Sequence, residues 1–185
     1  MNRAIRISWP GFSTKGTLLI PVDRDLFKLS KTALMISDQP FEAKDELHIT
    51  LIGKKNGSLI LDKINRDSAL KSSLITSFES IDWSFRKTHE TILIGRRKEI
   101  IDETGTAQTV HQKSIITRIQ MTGMALFYSF LKAVDLIQHD TPVPPPHITL
   151  YTRNCPNGIG VRSEDSLQLM TIASLHGKDL IRMLL

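Results

Sequence analysis

The stretches "KDELHITLIGKKNGS" (44–58) and "PPPHITLYTRNCPNG" (144–158) carry the same tetrapeptide, at 48–51 and again at 147–150. Read as strands, they place His48 and Thr50 on one face and Ile49 and Leu51 on the other, because side chains alternate along a strand. His147 and Thr149 stand in the same way against Ile148 and Leu150. In each copy the apolar pair anchors the strand in a core and leaves an imidazole and a hydroxyl facing a cavity. The match extends past the tetrapeptide, since both copies reach an Asn-Gly (Asn56-Gly57 and Asn157-Gly158) once a two-residue insertion is allowed. The chain therefore reads as two comparable halves built on a duplicated module.

Two such strands meeting across a cleft present two imidazoles and two hydroxyls to one ligand. Histidine takes or gives a proton near neutrality, and threonine donates a hydrogen bond to an oxyanion. That set suits phosphoryl chemistry in which one histidine activates the attacking oxygen and the other protonates the leaving oxygen. The bare His-x-Thr pattern is common in this chain, recurring at His89-Glu90-Thr91 and His139-Asp140-Thr141. Only the two HITL copies have an apolar residue between histidine and threonine, so Glu90 and Asp140 disqualify the others.

A chain of 185 residues, 41% hydrophobic and 23% charged, has the size and composition of one globular domain with its own core. No apolar run approaches the roughly 20 residues of a membrane span, and "MNRAIRISWPGF" lacks the apolar region of a secretory signal. A cytoplasmic protein and a monomer are expected. The single cysteine, Cys155, excludes an internal disulfide, and its "RNCPNG" setting reads as a turn rather than a nucleophile's site. The net charge of +5 permits nucleic-acid or nucleotide partners without proving them.

Periodicity predicts an early strand over 16–21, a helix from about Asp23 using Leu26, Leu29, Leu34 and Met35, and a second helix over 61–81 using Ile64, Leu70, Leu74 and Phe78. Two to four strands are expected over 83–111, with "DETGTA" as a hairpin loop. The segment "KSIITRIQMTGMALFYSFLKAVDLIQ" (113–138) predicts a long helix through Ile115, Ile119, Leu126, Phe130, Val134 and Ile137, with its methionines and phenylalanines facing the core. "HDTPVPPP" stops that helix and enforces an extended chain before the second HITL. A last helix is expected over 162–176, opened by Ser163 in a capping-like arrangement with Glu164, Asp165 and Ser166.

Two H-x-T-x motifs on strands, separated by about half the chain, resemble those of the 2H phosphoesterase superfamily, which includes the 2′-5′ RNA ligase-like cyclic RNA phosphodiesterases. The resemblance implies an α+β fold forming one bilobal domain over 1–185. Two antiparallel sheets would line a central cleft with helices outside, related by a pseudo-two-fold axis. It implies metal-independent hydrolysis of a cyclic phosphodiester, with no cofactor, on RNA ends or small cyclic nucleotides. His48 would be the acid and His147 the base, an assignment that depends on how the substrate lies, with Thr50 and Thr149 as phosphate-oxygen donors. Outside the motifs, no signature selects one substrate.

Tyr151 and Arg153 continue the second strand's alternation, so they would stand beside His147 and Thr149 to stack on a base and hold a phosphate if the strand stays extended that far. Lys54 and Lys55 follow the first motif and form the corresponding basic candidate, although a solvated turn is the commoner reading. "RRK" (96–98) and "RK" (86–87), near Trp83 and Phe85, read as charges protecting an exposed hairpin edge or as an RNA-tracking groove. A zinc site through His48, His147 and a carboxylate lacks close ligand spacing. "NGIG" (157–160) is too short for a phosphate loop. Two readings compete with the phosphodiesterase: a non-catalytic module that binds a phosphorylated ligand or RNA in the same cleft, and a structural protein in which HITL is only a core strand.

Overall fold

Both HITL segments are strands, and they are neighbours. The computed structural model describes residues 4–29, 32–101, 103 and 105–175. In chain order it contains β1 (Leu18–Val22), β2 (Leu34–Ile36), β3 (Gln39–Ala43), β4 (Leu47–Ile52), α1 (Lys54–Arg66), α2 (Ser68–Ser80), β5 (Arg86–Ile101) and β6 (Ala107–Gln120). These are followed by α3 (Thr122–Ala133), β7 (His147–Arg153), α4 (Glu164–Met170) and β8 (Thr171–Leu175). The fold is α+β. Among the described residues, eight strands form one antiparallel sheet in the order β1-β4-β7-β6-β5-β8, with the β2–β3 hairpin attached through β3 to β7.

Instead of two separate sheets, the strands follow a single path, because β4 and β7 meet edge to edge. They do so at one register pair, Ile49 opposite Ile148. The far end of β7 is taken by β3 through Glu42↔Thr152 and Ala43↔Tyr151.

Helices α1, α2 and α3 cover one face of this sheet. Ile60 and Ile64 of α1, Leu74 and Phe78 of α2, and Met124, Phe127, Tyr128 and Leu131 of α3 share a core with Ile20, Ile49, Leu51, Ile115 and Ile148. Phe78, Trp83 and Phe127 form an aromatic knot in which Phe78 lies 4.7 Å from Trp83, centroid to centroid. Trp83 also donates its Nε1–H to the Phe78 carbonyl at 2.9 Å, so it is a core residue rather than a surface stacking platform. The opposite face carries a smaller cluster of Ile92, Ile94, Ile116, Cys155, Ile159, Val161 and Leu167. That face also bears the polar side chains of both HITL strands.

Several sequence expectations are corrected. The helix expected from Asp23 shrinks to a single 3-10 turn, Arg24–Leu26, which Asp23 caps by accepting from the Asp25 N–H at 2.9 Å. Leu34 to Ile36 then alternate buried, exposed, buried, which is a strand period. Ser37 and Asp38, both at positive φ, turn the chain tightly into β3.

The long helix expected over 113–138 begins only at Thr122. Its first part is the end of β6, where Ser114 to Thr117 are buried on both sides of the sheet. A strand buried on both faces shows a continuous apolar run, and the β-branched Ile115, Ile116 and Thr117 favour that conformation. In α3 the buried stripe is Gly123, Met124, Phe127, Tyr128 and Leu131, with Leu126 exposed.

The single helix expected over 61–81 is broken at Asp67, whose side chain caps α2 by accepting from the Leu70 N–H at 2.9 Å. Its expected inward residues Ile64, Leu74 and Phe78 are buried, and Leu70 packs against them. The 83–111 region contributes two long strands joined where the hairpin loop was expected. At the last helix, Ser163 accepts from the Ser166 N–H at 3.1 Å and Ser166 Oγ accepts from the Ser163 N–H at 2.9 Å, a reciprocal capping box. Thr171 turns that helix into the edge strand β8, and the expected end at His176 lies outside the described residues. No helix among the described residues is long and apolar enough to cross a membrane.

Candidate active site

The Ile49↔Ile148 pair fixes the rest of the site. In an antiparallel pair the flanking residues follow directly, so His48 lies across from Thr149 and Thr50 across from His147. Both isoleucines are fully buried against the helices. The four polar side chains therefore point away from the helices, and all four are half-buried. Opposed side chains in such a pair stand about 5 Å apart at Cβ and diagonal ones about 7–8 Å. The two imidazoles are thus set diagonally, and the two threonines hold the other corners of the square.

The flanking strands frame this square. On one side, Pro21 of β1 lies beside His48 and Leu19 beside Thr50. On the other, Ile116 of β6 lies beside Thr149 and Arg118 beside His147. From α3, the Tyr128 hydroxyl donates to the Leu51 carbonyl at 3.0 Å and ties down the backbone of the first motif. Burial raises the pKa of that phenol.

His147 Nδ1 lies 2.8 Å from the Pro145 carbonyl oxygen. A carbonyl only accepts, so Nδ1 carries the proton and Nε2 of the neutral ring has its lone pair available. The proline run before the motif holds that carbonyl rigidly, which gives 143–146 a second purpose besides stopping a helix. Burial pushes the pKa of His147 below the ordinary histidine range. The Pro145 carbonyl pulls it upward, and His48 and Arg118 push it down. His48 is also pushed down, first by burial and then by Lys44, with Glu46 pulling the other way.

Arg118 is the site residue that sequence reading missed. It binds Glu164 in a fork, Nη1 to Oε2 at 3.1 Å and Nη2 to Oε1 at 2.5 Å, and its Nε lies 3.6 Å from Glu90 Oε2. A register irregularity in β5 between Lys87 and Thr91 brings Glu90 there. The capping box at the start of α4 supplies Glu164. The signal was present in "IITRIQ", but a helical reading of that segment hides which face Arg118 occupies.

Gly158 is a second omission. It has φ +76, and a Cβ there would sit 3.2 Å from Thr149 Cγ2 and Oγ1. The turn at 155–158 thus packs its glycine onto the site threonine. Asn56-Gly57, its expected counterpart, lies inside α1, so the likeness of the two halves ends with the strands. Gly57 instead lets α1 approach the Gly16 carbonyl, where a Cβ would come within 1.8 Å.

Tyr151 and Arg153 are not placed beside His147. The register of β7 against β6 shifts after Thr149, so that Ile115 pairs with Tyr151. Leu150 and Tyr151 both belong to the helix-side core, with Tyr151 only 3% exposed. A bulge adds one residue and so reverses the faces of the residues that follow. Arg153 shares the Tyr151 face and lies across from Lys113. Lys54 and Lys55 are exposed in the first turn of α1 rather than in a loop.

Cys155 is buried in the smaller cluster with its Sγ 3.1 Å from the Lys113 carbonyl. Glu90 is exposed, and His139 sits in a solvent-facing pair with Asp135. Among the described residues, no group of three or more His, Cys, Asp or Glu side chains converges as metal ligands would. No family model, curated protein or solved structure matches the chain.

Proposed function

We propose that this protein is a metal-independent phosphodiesterase of the 2H type, hydrolysing a 2′,3′-cyclic phosphate at an RNA end or a small cyclic nucleotide. The observation that carries this reading is the antiparallel pairing of two identical motifs about Ile49 and Ile148, which gathers two histidines and two threonines on one face. In the reaction, a water oxygen forms a bond to phosphorus and gives its proton to His147 Nε2. The bond from phosphorus to a ribose oxygen breaks, and that oxygen takes a proton from His48. The product is a phosphomonoester with a free neighbouring hydroxyl. Thr50 and Thr149 donate to the non-bridging oxygens, and Arg118 adds positive charge where the phosphorane is most negative.

The direction fits the electrostatics. His147 has its Nδ1–H tautomer fixed and a guanidinium beside it, so it stays neutral and serves as the base. His48 is also held below the ordinary histidine range, by burial and Lys44 against the opposing pull of Glu46, so its imidazolium is favoured by the anionic phosphate that sits between the rings. The single register pair joining β4 to β7 supports a bilobal reading in which each half of the sheet contributes one motif. We read the chain as a cytoplasmic monomer that needs no cofactor.

The test is phosphomonoester formation from 2′,3′-cyclic nucleotides and cyclic-phosphate-ended oligonucleotides in EDTA. His48→Ala and His147→Ala should each lower kcat about 10²- to 10⁴-fold while ligand affinity changes little. Tight binding without turnover by the wild type on every substrate would replace the enzyme with a binding module.

A further inference from the structure

Beyond the sheet, β5 and β6 continue as a two-stranded ribbon. The last pair between β7 and β6 is Arg153↔Lys113, and the last between β8 and β5 is Thr171↔Ile94. The ribbon runs on from Arg96↔Gln112 to Ile101↔Ala107, about 20 Å at the usual rise per residue. Its root holds a cavity of about 270 Å³ lined by residues that include Arg96, Arg97, His111 and Lys113.

Alternation and pairing put Gly95, Lys113, Arg97 and His111 on one face. The Ile172 side chain from β8 packs over Gly95, with its Cδ1 2.6 Å from where a Cβ would stand, and both residues line the cavity. Lys113 stands directly across from Arg153, and Arg97 directly across from His111. Lys113 and Arg153 are like charges opposed on a sheet, which repel, and no carboxylate among the described residues forms an ion pair with Arg97, Lys113 or Arg153. Lys113 Nζ donates to the neutral Gln39 Oε1 at 2.8 Å. Arg153 Nη1 is buried without an acceptor among the described residues. Arg97 and Lys113 at the cavity, with Arg153 beside Lys113, carry no ion pair to another described residue, and such a concentration of positive charge around a cavity too small for a drug-sized molecule is complementary to phosphate.

We infer that the root of this ribbon is a second phosphate-binding site, separate from the two-histidine face, that grips the backbone of a single-stranded RNA. This rests on the proposed phosphodiesterase reading only for the choice of RNA. Lys113 lies five residues along β6 from Arg118 and on the opposite face of the sheet. About 17 Å of strand therefore separates this grip from the reacting phosphate, and the grip is on the body of the chain rather than its end. A protein built this way acts on RNA chains in preference to free cyclic nucleotides.

The experiment is fluorescence anisotropy of a labelled single-stranded RNA of roughly 12 nucleotides, a normal site size, with wild type, Arg97→Ala/Lys113→Ala, Arg97→Lys/Lys113→Arg and His48→Ala proteins. The double alanine variant should bind about ten-fold or more weakly. Its log K against log salt should be shallower by about 1.4, or 0.7 for each phosphate no longer neutralised. The charge-keeping variant should recover most of the affinity, and His48→Ala should bind as wild type does. Equal binding by wild type and the double alanine variant would overturn the site. So would a loss in His48→Ala as large as in the double variant. Displacement of the RNA by equimolar inorganic phosphate or mononucleotide would overturn the assignment to a chain. Binding to anionic vesicles that depends on Arg97 and Lys113, with RNA binding that does not, would overturn the assignment to RNA. Hydrolysis of a cyclic mononucleotide by the wild type reports separately on the phosphodiesterase reading. Its absence would sink that reading and leave the anisotropy comparison to decide this one.

Discussion

Ile49 lies directly opposite Ile148, and through that pair each histidine of the site faces the other motif's threonine. Half a turn about the pair exchanges His48 with His147 and Thr50 with Thr149. The two hydroxyls therefore stand in equivalent places relative to a phosphate between the rings. Thr50→Val and Thr149→Val keep side-chain shape and delete one donor each. Removal of a preorganised oxyanion donor costs about 10²–10³ in kcat, and the two losses should agree within several-fold. Steady-state kinetics on one cyclic substrate checks this, and a large loss on one side only would count against a phosphate held centrally.

Arg118 should set the working pH. Its guanidinium, paired across the sheet with His147, helps hold that imidazole in the neutral form that can accept a proton. In Arg118→Ala one of the forces lowering the His147 pKa disappears, so the pKa rises. The acidic limb of kcat/KM should then move to higher pH, whereas Arg118→Lys, which keeps the charge, should move it less. A merely structural Arg118 would lower activity without shifting the limb. Titration of the His147 ring by NMR reads the same change directly.

Legibility of the sequence divides along physical lines. The HITL strands, their alternation and the grouping of His48, Thr50, His147 and Thr149 follow from a period of two and an apolar anchor, both local properties. The Ser163 cap and the hairpin loop are local too. Ile115 and Ile119 misled because a strand buried on both faces has no alternation to show, and its apolar residues also fit a helical stripe. That misreading concealed Arg118. Tyr151 misled for another reason: a single bulge after Thr149 depends on how β6 pairs with β7, which no local pattern records. The packing of Gly158 on Thr149 is likewise tertiary.

Acid should destabilise the fold. His48 and His147 both have pKa values in the folded state below the unfolded value of about 6.5. Between the folded and unfolded values, the unfolded chain binds protons that the folded chain does not, so stability increases with pH there. The contribution is fully present above about pH 6.5 and is lost as pH falls through the folded values, at no more than about 1.4 kcal/mol per pH unit for each histidine. Urea titrations between pH 7 and pH 5 should show declining stability, with a smaller decline in His147→Gln. An unchanged slope in that variant would place the acid sensitivity elsewhere.

Gly158 is where stability and chemistry should separate. Its φ of +76 suits glycine, and a Cβ at that position would press on Thr149 at 3.2 Å. Gly158→Ala should therefore cost about 1–2 kcal/mol from the left-handed backbone alone and also displace the Thr149 hydroxyl. Gly158→Asn tolerates the backbone better but brings the same Cβ, so it should regain part of the stability and little of the activity. Adding Thr149→Ser to Gly158→Ala removes the crowded Cγ2 while keeping a hydroxyl, and should restore part of kcat without restoring the backbone cost. Urea midpoints and kcat measured on the three variants separate the two effects. If activity follows stability alone across the set, the glycine serves only the turn, and the packing of Gly158 on Thr149 has no part in positioning the phosphate donor.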